Sequence, residues 1–340
     1  YQRCYRKLSL MSPLVQSVSE RRDIRCDALM LAKLRSLVAD KRPVLIWERS
    51  NRLCSAGLTV AKQYRIPYVL EWKDNIIKYR FSLYHHRAVE LERRKNAESD
   101  FIVVESRTIR ERLIAEGLDG GKIVVALNAV DPEQFKPDAH GRARYREQLR
   151  LTDTDILVGY MGSFTWYHDS SRLVLAAKIV KGLTDQPVKF VLAGTGKDYG
   201  RARSLADRLG LLDSTVLFQP WVPEDEVPKF LSALDIAVLP GSTDIICPVK
   251  VQEYMAMELP PIVPDYPCNR EVVTDGQTGL LFRPGNEQSL AEKILLLAGD
   301  DGLRARLGKQ AREQVLERFT WRATWGTALE EILGRIDRGR

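Results

Sequence analysis

The segment Cys247-Pro248-Val249-Lys250-Val251-Gln252-Glu253-Tyr254-Met255-Ala256 puts a lysine and a glutamate three residues apart behind a proline. Pro248 suits the first position of a helix, where its missing N–H costs nothing. A helix starting there aims its unpaired N–H groups and positive dipole end back at the preceding loop. A lysine in the first turn is unfavourable for the helix itself, and makes sense if an anion sits in front of it. Glu253, one turn on and roughly on the same face, can take hydroxyl hydrogens from a sugar ring. A phosphate beside a sugar is the chemistry this spacing points to. A solvated surface helix would carry the same pair, and the segment taken alone leaves both readings open.

The elements that must hold these residues alternate between short apolar runs and helical stretches. In the second half the strands fall at Asp155–Met161, Val188–Ala193, Val216–Phe218, Ile236–Leu239 and Pro261–Val263, with a further one at 279–282. Helical patterns lie at Arg172–Leu183, Arg201–Leu209, Glu224–Leu234 and Val249–Met257, and residues 287–318 read as helical. Such alternation predicts right-handed βαβ units and a parallel sheet, with ligands at the carboxyl ends of its strands. The first half repeats the pattern with strands at Val44–Glu48, Tyr68–Trp72, Phe101–Glu105 and Lys122–Ala126. There is no glycine before Gly57, so the strand and Gly-rich turn that usually open a Rossmann-like domain are missing, and the first 40 residues read as helix. A loop at Val130–Asp138 looks like the inter-domain linker. The expected division is therefore α/β, with one Rossmann-like domain over 1–135, a second over 136–318, and an amphipathic C-terminal helix within 319–340 packing back on the first.

The chain has 340 residues, enough for two domains with real cores. No apolar run is long enough to span a bilayer and no secretory signal stands out. The first residue is Tyr1 rather than Met, as in a processed or trimmed product. Five scattered cysteines without a C-x-x-C pair point to reduced thiols and a cytoplasmic setting, and against a zinc site. Residues 1–150 hold 30 Lys/Arg against 19 Asp/Glu, while the rest holds 22 against 26. A basic first half suits an anionic partner such as a membrane surface or a lipid-linked phosphate; a solvated surface with no partner explains it equally well. Its arginines are dispersed rather than interleaved with aromatics, which argues against nucleic acid. The apolar residues Tyr1, Tyr5, Leu8, Leu10, Met11 and Leu14 suit core packing or a lipid surface.

The chain resembles the retaining glycosyltransferases of family 4, which have the GT-B fold. The resemblance is carried by Val158-Gly159-Tyr160-Met161-Gly162-Ser163-Phe164, Phe190-Val191-Leu192-Ala193-Gly194-Thr195-Gly196, Trp221-Val222-Pro223, Pro248-x-Lys250-x-x-Glu253-Tyr254-Met255-Ala256 and Asp275-Gly276-x-x-Gly279-Leu280-Leu281. Upstream, Asn128-Ala129-Val130-Asp131 is similar to the family's Asn-Gly-Val-Asp linker. The resemblance implies two Rossmann-like domains with parallel sheets facing across a cleft. It implies a donor that is a nucleotide diphosphate sugar, UDP- or GDP-linked, with no metal and no cofactor, and a lipid-linked or polysaccharide acceptor. Gly162 and Ser163 would then let the backbone approach the diphosphate, Val222 and Pro223 would border the base, Glu253 would bind the ribose hydroxyls, and Phe164, Gly194, Gly196, Pro248 and Val249 would complete the donor-binding set.

Departures from the family's pattern shape the catalytic expectations. The family's first glutamate falls on Ile245, and its Arg and Lys after the first strand fall on Ser163 and His168. A subgroup with Gly-Ser-Phe and a following His, and with Pro-x-Lys, shares these changes. Lys250 would restore one lost cation, and His168 a second if a diphosphate raises its pKa. Residues 166–171 could instead simply start a helix capped by Asp169 or Ser170. Lys73 and Asp74 stand where many members carry a catalytic histidine, and complete the expected catalytic set with Lys250 and His168. His85 and His86 read as ordinary surface or packing residues. The expected function is a retaining hexosyltransferase of polysaccharide biosynthesis, cytoplasmic or peripheral at a membrane. The alternative is a non-catalytic GT-B protein that binds nucleotide sugar or a partner protein.

Overall fold

The computed structural model describes residues 2–73 and 82–338, with side chains from Gln16 onward. Asp74, the side chains of Tyr5, Leu8, Leu10, Met11 and Leu14, and Tyr1 lie outside the described residues. The chain divides into two compact units. Unit 1 comprises Tyr1–Glu105, Ile109–Ala126 and Ala328–Arg340; unit 2 comprises Ser106–Thr108 and Leu127–Thr327.

In chain order the first elements are α1 (Gln2–Lys41), β1 (Ile46–Arg49), α2 (Ala56–Tyr64), β2 (Tyr68–Glu71), α3 (His85–Glu98), β3 (Phe101–Val104), α4 (Arg107–Ala115) and β4 (Ile123–Val125). The four strands are parallel and lie in chain order, β1-β2-β3-β4. As the lack of early glycine predicts, a helix rather than a strand precedes β1. α1 packs on α2 and supplies its cap: the Asp27 Oδ1 atom accepts from the N–H groups of Ser55 (3.0 Å) and Ala56 (2.9 Å), while Ser55 makes no cap of its own. Lys95 of α3 is buried and donates to the Asn51 carbonyl at 2.6 Å, which fixes the loop after β1.

The second run is α5 (Ala139–Gln148), β5 (Ile156–Met161), α6 (Ser170–Leu183), β6 (Val188–Ala193), α7 (Tyr199–Arg208), β7 (Val216–Gln219), α8 (Val227–Leu231), β8 (Ile236–Val238), α9 (Lys250–Ala256), β9 (Pro261–Pro264), α10 (Pro267–Arg270), β10 (Leu280–Phe282), α11 (Glu287–Ala298) and α12 (Asp301–Arg318), after which α13 (Thr327–Arg338) ends the chain. The unit 2 sheet is parallel throughout, in the order β10-β9-β8-β5-β6-β7. Its strands are apolar on both faces, with Val158, Tyr160, Phe190, Ile236 and Ile262 fully buried, as a sheet covered by helices on both sides requires. The strand order reverses between β5 and β8. By the rule for such sheets, the ligand crevice is expected at the carboxyl ends of these two strands.

Several boundaries differ from those expected. The division falls between Ala126 and Leu127 rather than at 135/136. The stretch expected as a linker belongs to unit 2, because Val130 and Phe135 are buried and Val130 N–H donates to the Phe319 carbonyl at 3.0 Å. The helical region 287–318 breaks at Gly299, where Asp300 caps α12 through the Leu303 N–H at 2.8 Å. The Glu224–Leu234 stretch shrinks to one 3-10 turn and the short α8, with Pro228 at its start. The last stretch begins with a π turn, Arg322–Gly326. Only Ala328 onward groups with unit 1, where Arg335 Nη1 donates to the Gly121 carbonyl at 2.6 Å.

Because Asp27 is the cap of α2, Asp27→Ala should lower the stability of unit 1 by about 1–2 kcal/mol in denaturant titrations. Asp27→Asn, which keeps an acceptor oxygen, should recover most of the loss. Equal stability of Asp27→Ala and the wild type would show that the cap is idle.

Candidate active site

The residues that meet at the β5–β8 crevice come from three segments: the turn after β5, the short helical turn Trp166–His168 before α6, and the start of α9. The Lys250 ammonium nitrogen lies 3.0 Å from His168 Nε2, and His168 Nδ1 lies 3.4 Å from the Gly241 carbonyl just beyond β8. The arrangement that satisfies both contacts has the proton on Nδ1, which donates to Gly241, and leaves Nε2 to accept from Lys250. Lys250 also stands over the Tyr160 ring, 5.1 Å from its centroid, a favourable place for a cation. The Tyr160 hydroxyl donates to the Ser163 carbonyl at 2.7 Å and so shapes the turn.

The backbone angle of Gly162, φ +155°, favours glycine in that turn. A Cβ on Gly162 would fall 2.5 Å from the Lys250 nitrogen and 2.8 Å from its Cε carbon. Gly194, at the end of β6, has φ +126° and faces the Gly162 backbone so closely that a Cβ there would overlap its carbonyl oxygen. Gly196 meets the backbone of Phe164 in the same way. The Gly-x-Gly pair therefore serves to pack the β6 turn onto the β5 turn, where Phe164 N–H donates to the Thr195 carbonyl at 2.8 Å.

Burial and charge set unusual protonation states. Burial, then the neighbouring Lys250 charge, push His168 down to about 4, against a weaker pull from the Gly241 carbonyl. Burial pushes Lys250 down to about 8, with Glu253 opposing. Burial pushes Glu253 up to about 7, with Lys250 opposing. At neutral pH the crevice thus holds one ammonium whose hydrogen-bond partner is an uncharged imidazole. Such a site favours an incoming anion, which would supply the counter-charge. Glu253, poised between acid and carboxylate, can donate to or accept from a hydroxyl.

Other expected site residues are placed differently. Pro248 lies just before α9, not at its first helical position, and its carbonyl accepts from Val251 N–H at 3.0 Å. α9 has only seven residues, so the lysine, rather than a long helix dipole, supplies the positive charge. Val249 and Ser163 are exposed. Phe164 is fully buried, edge-on to Tyr160 and Tyr199, and is a packing residue. Val222 packs into the core beside the partly exposed Pro223, while neighbouring Trp221 is 65% exposed. Asp169 precedes α6 without capping it and pairs with Arg172 instead. In unit 1, Lys73 is not a free cation: it is clasped by Glu105 and lies 3.4 Å from Glu71, which also takes Arg49 at 2.7 Å. Its charge is already neutralised by carboxylates. His85 and His86 are exposed at the start of α3. The sequence pattern does not single out the Gly241 carbonyl, and only the alternation of β5 toward the Gly-Ser turn points to Tyr160.

The turn, the lysine and the sheet reversal lie within a segment, residues 141–314, that matches the family model described as glycosyl transferases group 1, just over half of the chain. The chain belongs to this family. A second model, glycosyl transferase 4-like domain, matches residues 13–129. Among relatives of this glycosyltransferase, a GDP-mannose-dependent alpha-mannosyltransferase of Mycobacterium tuberculosis is 27% identical over 84% of this chain and 70% of its own. A D-inositol 3-phosphate glycosyltransferase of Stackebrandtia nassauensis is 28% identical over 70% of this chain and 54% of its own. The chain thus spans from about half to 70% of the length of these curated relatives. Anabaena HepE, solved in complex with UDP, superposes with a TM-score of 0.75 at 20% identity, over 91% of this chain and 82% of its own. The fold is GT-B, two parallel-sheet α/β domains.

A histidine held neutral by burial disfavours acid. Its folded pKa is about 4 against an ordinary 6.5, so the unfolded chain binds the extra proton and stability is lost as pH falls from 6.5 to 4. The wild type should lose up to about 3 kcal/mol over that window relative to His168→Gln. Parallel stability curves for the two proteins would refute the neutral buried imidazole.

Proposed function

We propose that this glycosyltransferase moves a hexose from a nucleotide diphosphate sugar, with retention and without a metal, onto a lipid-linked or polysaccharide acceptor in the cytoplasm. The observation that carries the donor half is the Lys250 ammonium at the β5–β8 crevice, set against a neutral histidine and a glycine turn that lets a diphosphate approach. In the transfer, the bond from the anomeric carbon to the β-phosphate oxygen breaks and a bond to the acceptor hydroxyl forms. The hydroxyl proton leaves with the nucleotide diphosphate or to solvent. Lys250 would stabilise the charge that develops on the diphosphate, and His168 would join it once protonated. Glu253 would hold ribose hydroxyls. Family membership, the GDP-mannose-dependent relative and the UDP complex of HepE support a nucleotide sugar as donor; retention and freedom from metal rest on the family resemblance.

Peripheral membrane contact has a specific support in α1. Val18, Leu29, Met30 and Leu37 are exposed on it, together with Arg22, Arg25 and Lys33. An exposed basic and apolar helix suits an anionic lipid surface. Among the described residues no helix is long and apolar enough to cross a membrane.

Thermal stabilisation by UDP, GDP, ADP and their sugars tests the donor site. A ligand at a hundred times its dissociation constant should add about 2.7 kcal/mol, and Lys250→Ala or Glu253→Ala should abolish the shift. No shift with any nucleotide sinks the donor assignment. Binding should also take up protons at pH 6.5 as a diphosphate draws one onto His168. Calorimetry in buffers of different ionisation heat should show the uptake, and His168→Gln should lose it. A buffer-independent heat would remove His168 from the diphosphate site. Leu29→Asp with Met30→Asp should weaken sedimentation with anionic vesicles; unchanged sedimentation would clear α1 of a membrane role.

A further inference from the structure

Tyr254 is fully buried although it carries a hydroxyl. The hydroxyl lies 3.0 Å from both the backbone nitrogen and the carbonyl oxygen of Met161, accepting from the one and donating to the other. The sheet explains why. β5 pairs with β6 as far as Met161, but with β8 only at Val158 and Gly159. Among the described residues the β8 side of β5 has no strand partner beyond Gly159, and amide groups shielded from water demand hydrogen bonds. The phenol stands in for the strand.

What it holds in place matters more than the ladder itself. Lys250 and Tyr254 are one turn apart on α9 and share a face. Met161 and Gly162 are consecutive at the end of β5. Tyr254 bonds to the first of these two residues, and Lys250 covers the second, with its nitrogen 2.5 Å from where a Gly162 Cβ would be. Two points on the helix therefore meet two points on the strand, and the hydroxyl supplies the directional bonds of the pair. Upstream of the helix, Asn128 Nδ2 donates to the Cys247 carbonyl at 3.0 Å and steadies the loop that leads in.

We infer that Tyr254 is a positioning residue for glycosyl transfer: its hydroxyl sets the register of α9 against β5 and so stations the Lys250 ammonium over the Gly162 turn. The consequence for donor binding rests on the diphosphate reading of that turn; the register claim itself does not.

Tyr254→Phe removes the hydroxyl and keeps the ring in its cavity. Phe230→Leu, a core change where α8 packs on Tyr145, provides a control that loses stability without touching α9. Two quantities are compared below both melting temperatures. One is the Kd for UDP and GDP. The other is the pH midpoint at which Lys250 reacts with acetic anhydride, followed by mass spectrometry. Tyr254→Phe should bind nucleotide about tenfold more weakly than Phe230→Leu. Its Lys250 midpoint should rise from about 8 toward the ordinary 10.5 as the ammonium leaves its buried station. Equal Kd and equal midpoint in the two variants would overturn the inference and leave Tyr254 a purely structural residue. If the wild type binds neither nucleotide, the donor assignment fails and the midpoint alone decides: a rise supports the register role, and no rise overturns it.

Discussion

One partly buried ammonium organises unit 2. Lys250 sits where burial opposes its charge, its hydrogen-bond partner is an uncharged imidazole, and the compensation it finds is the face of Tyr160 and a carboxyl group three residues along its own helix. Close packing keeps water from solvating the ammonium, which is why burial holds its pKa down to about 8. The glycine turns after β5 and β6 pack on each other beside it, and the neutral His168 accepts its hydrogen bond.

The two units treat the carboxyl ends of their strands differently. In unit 1 the charges there settle one another: Arg49 and Lys73 lie on Glu71, and Lys73 is held by Glu105. The described strands of that sheet run in chain order without a reversal. In unit 2 the strand order reverses between β5 and β8, and among the described residues no carboxylate from another segment forms an ion pair with the lysine there, whose partner is the neutral His168. Self-neutralised charge stabilises a fold; a charge kept waiting at a crevice is suited to a ligand.

Much of this was legible in the amino-acid order. The apolar runs that became β2, β3 and β5 to β9 were plain, because strands covered on both faces must be apolar along their length. Lys250 was legible because a lysine opening a helix contradicts local preference. The boundaries that misled were those decided by tertiary contacts. Val130 and Phe135 sit among loop-like residues and join the unit 2 core all the same. Lys73 stands at a position expected to be catalytic, yet its partners Glu71, at the end of β2, and Glu105, just after β3, neutralise it, and adjacency of strands is not written in either one. Phe164 looked like a ligand contact from its motif, yet the crossing of two glycine turns buries it.

The contact between Gly162 and Lys250 ties the tolerance of one position to the identity of another. With the lysine laid over the turn, a Cβ at 162 would fall 2.5 Å from its ammonium nitrogen, so the lysine would have to move. A shorter residue at 250 would lift that steric bar but not the backbone one, since Gly162 has φ +155°. Gly162 is therefore held by two constraints of different kinds, its own backbone angle and the lysine packed over it. Loss of the lysine would relax only one of them, so the turn would keep its glycine even in a lineage that no longer held a cation there.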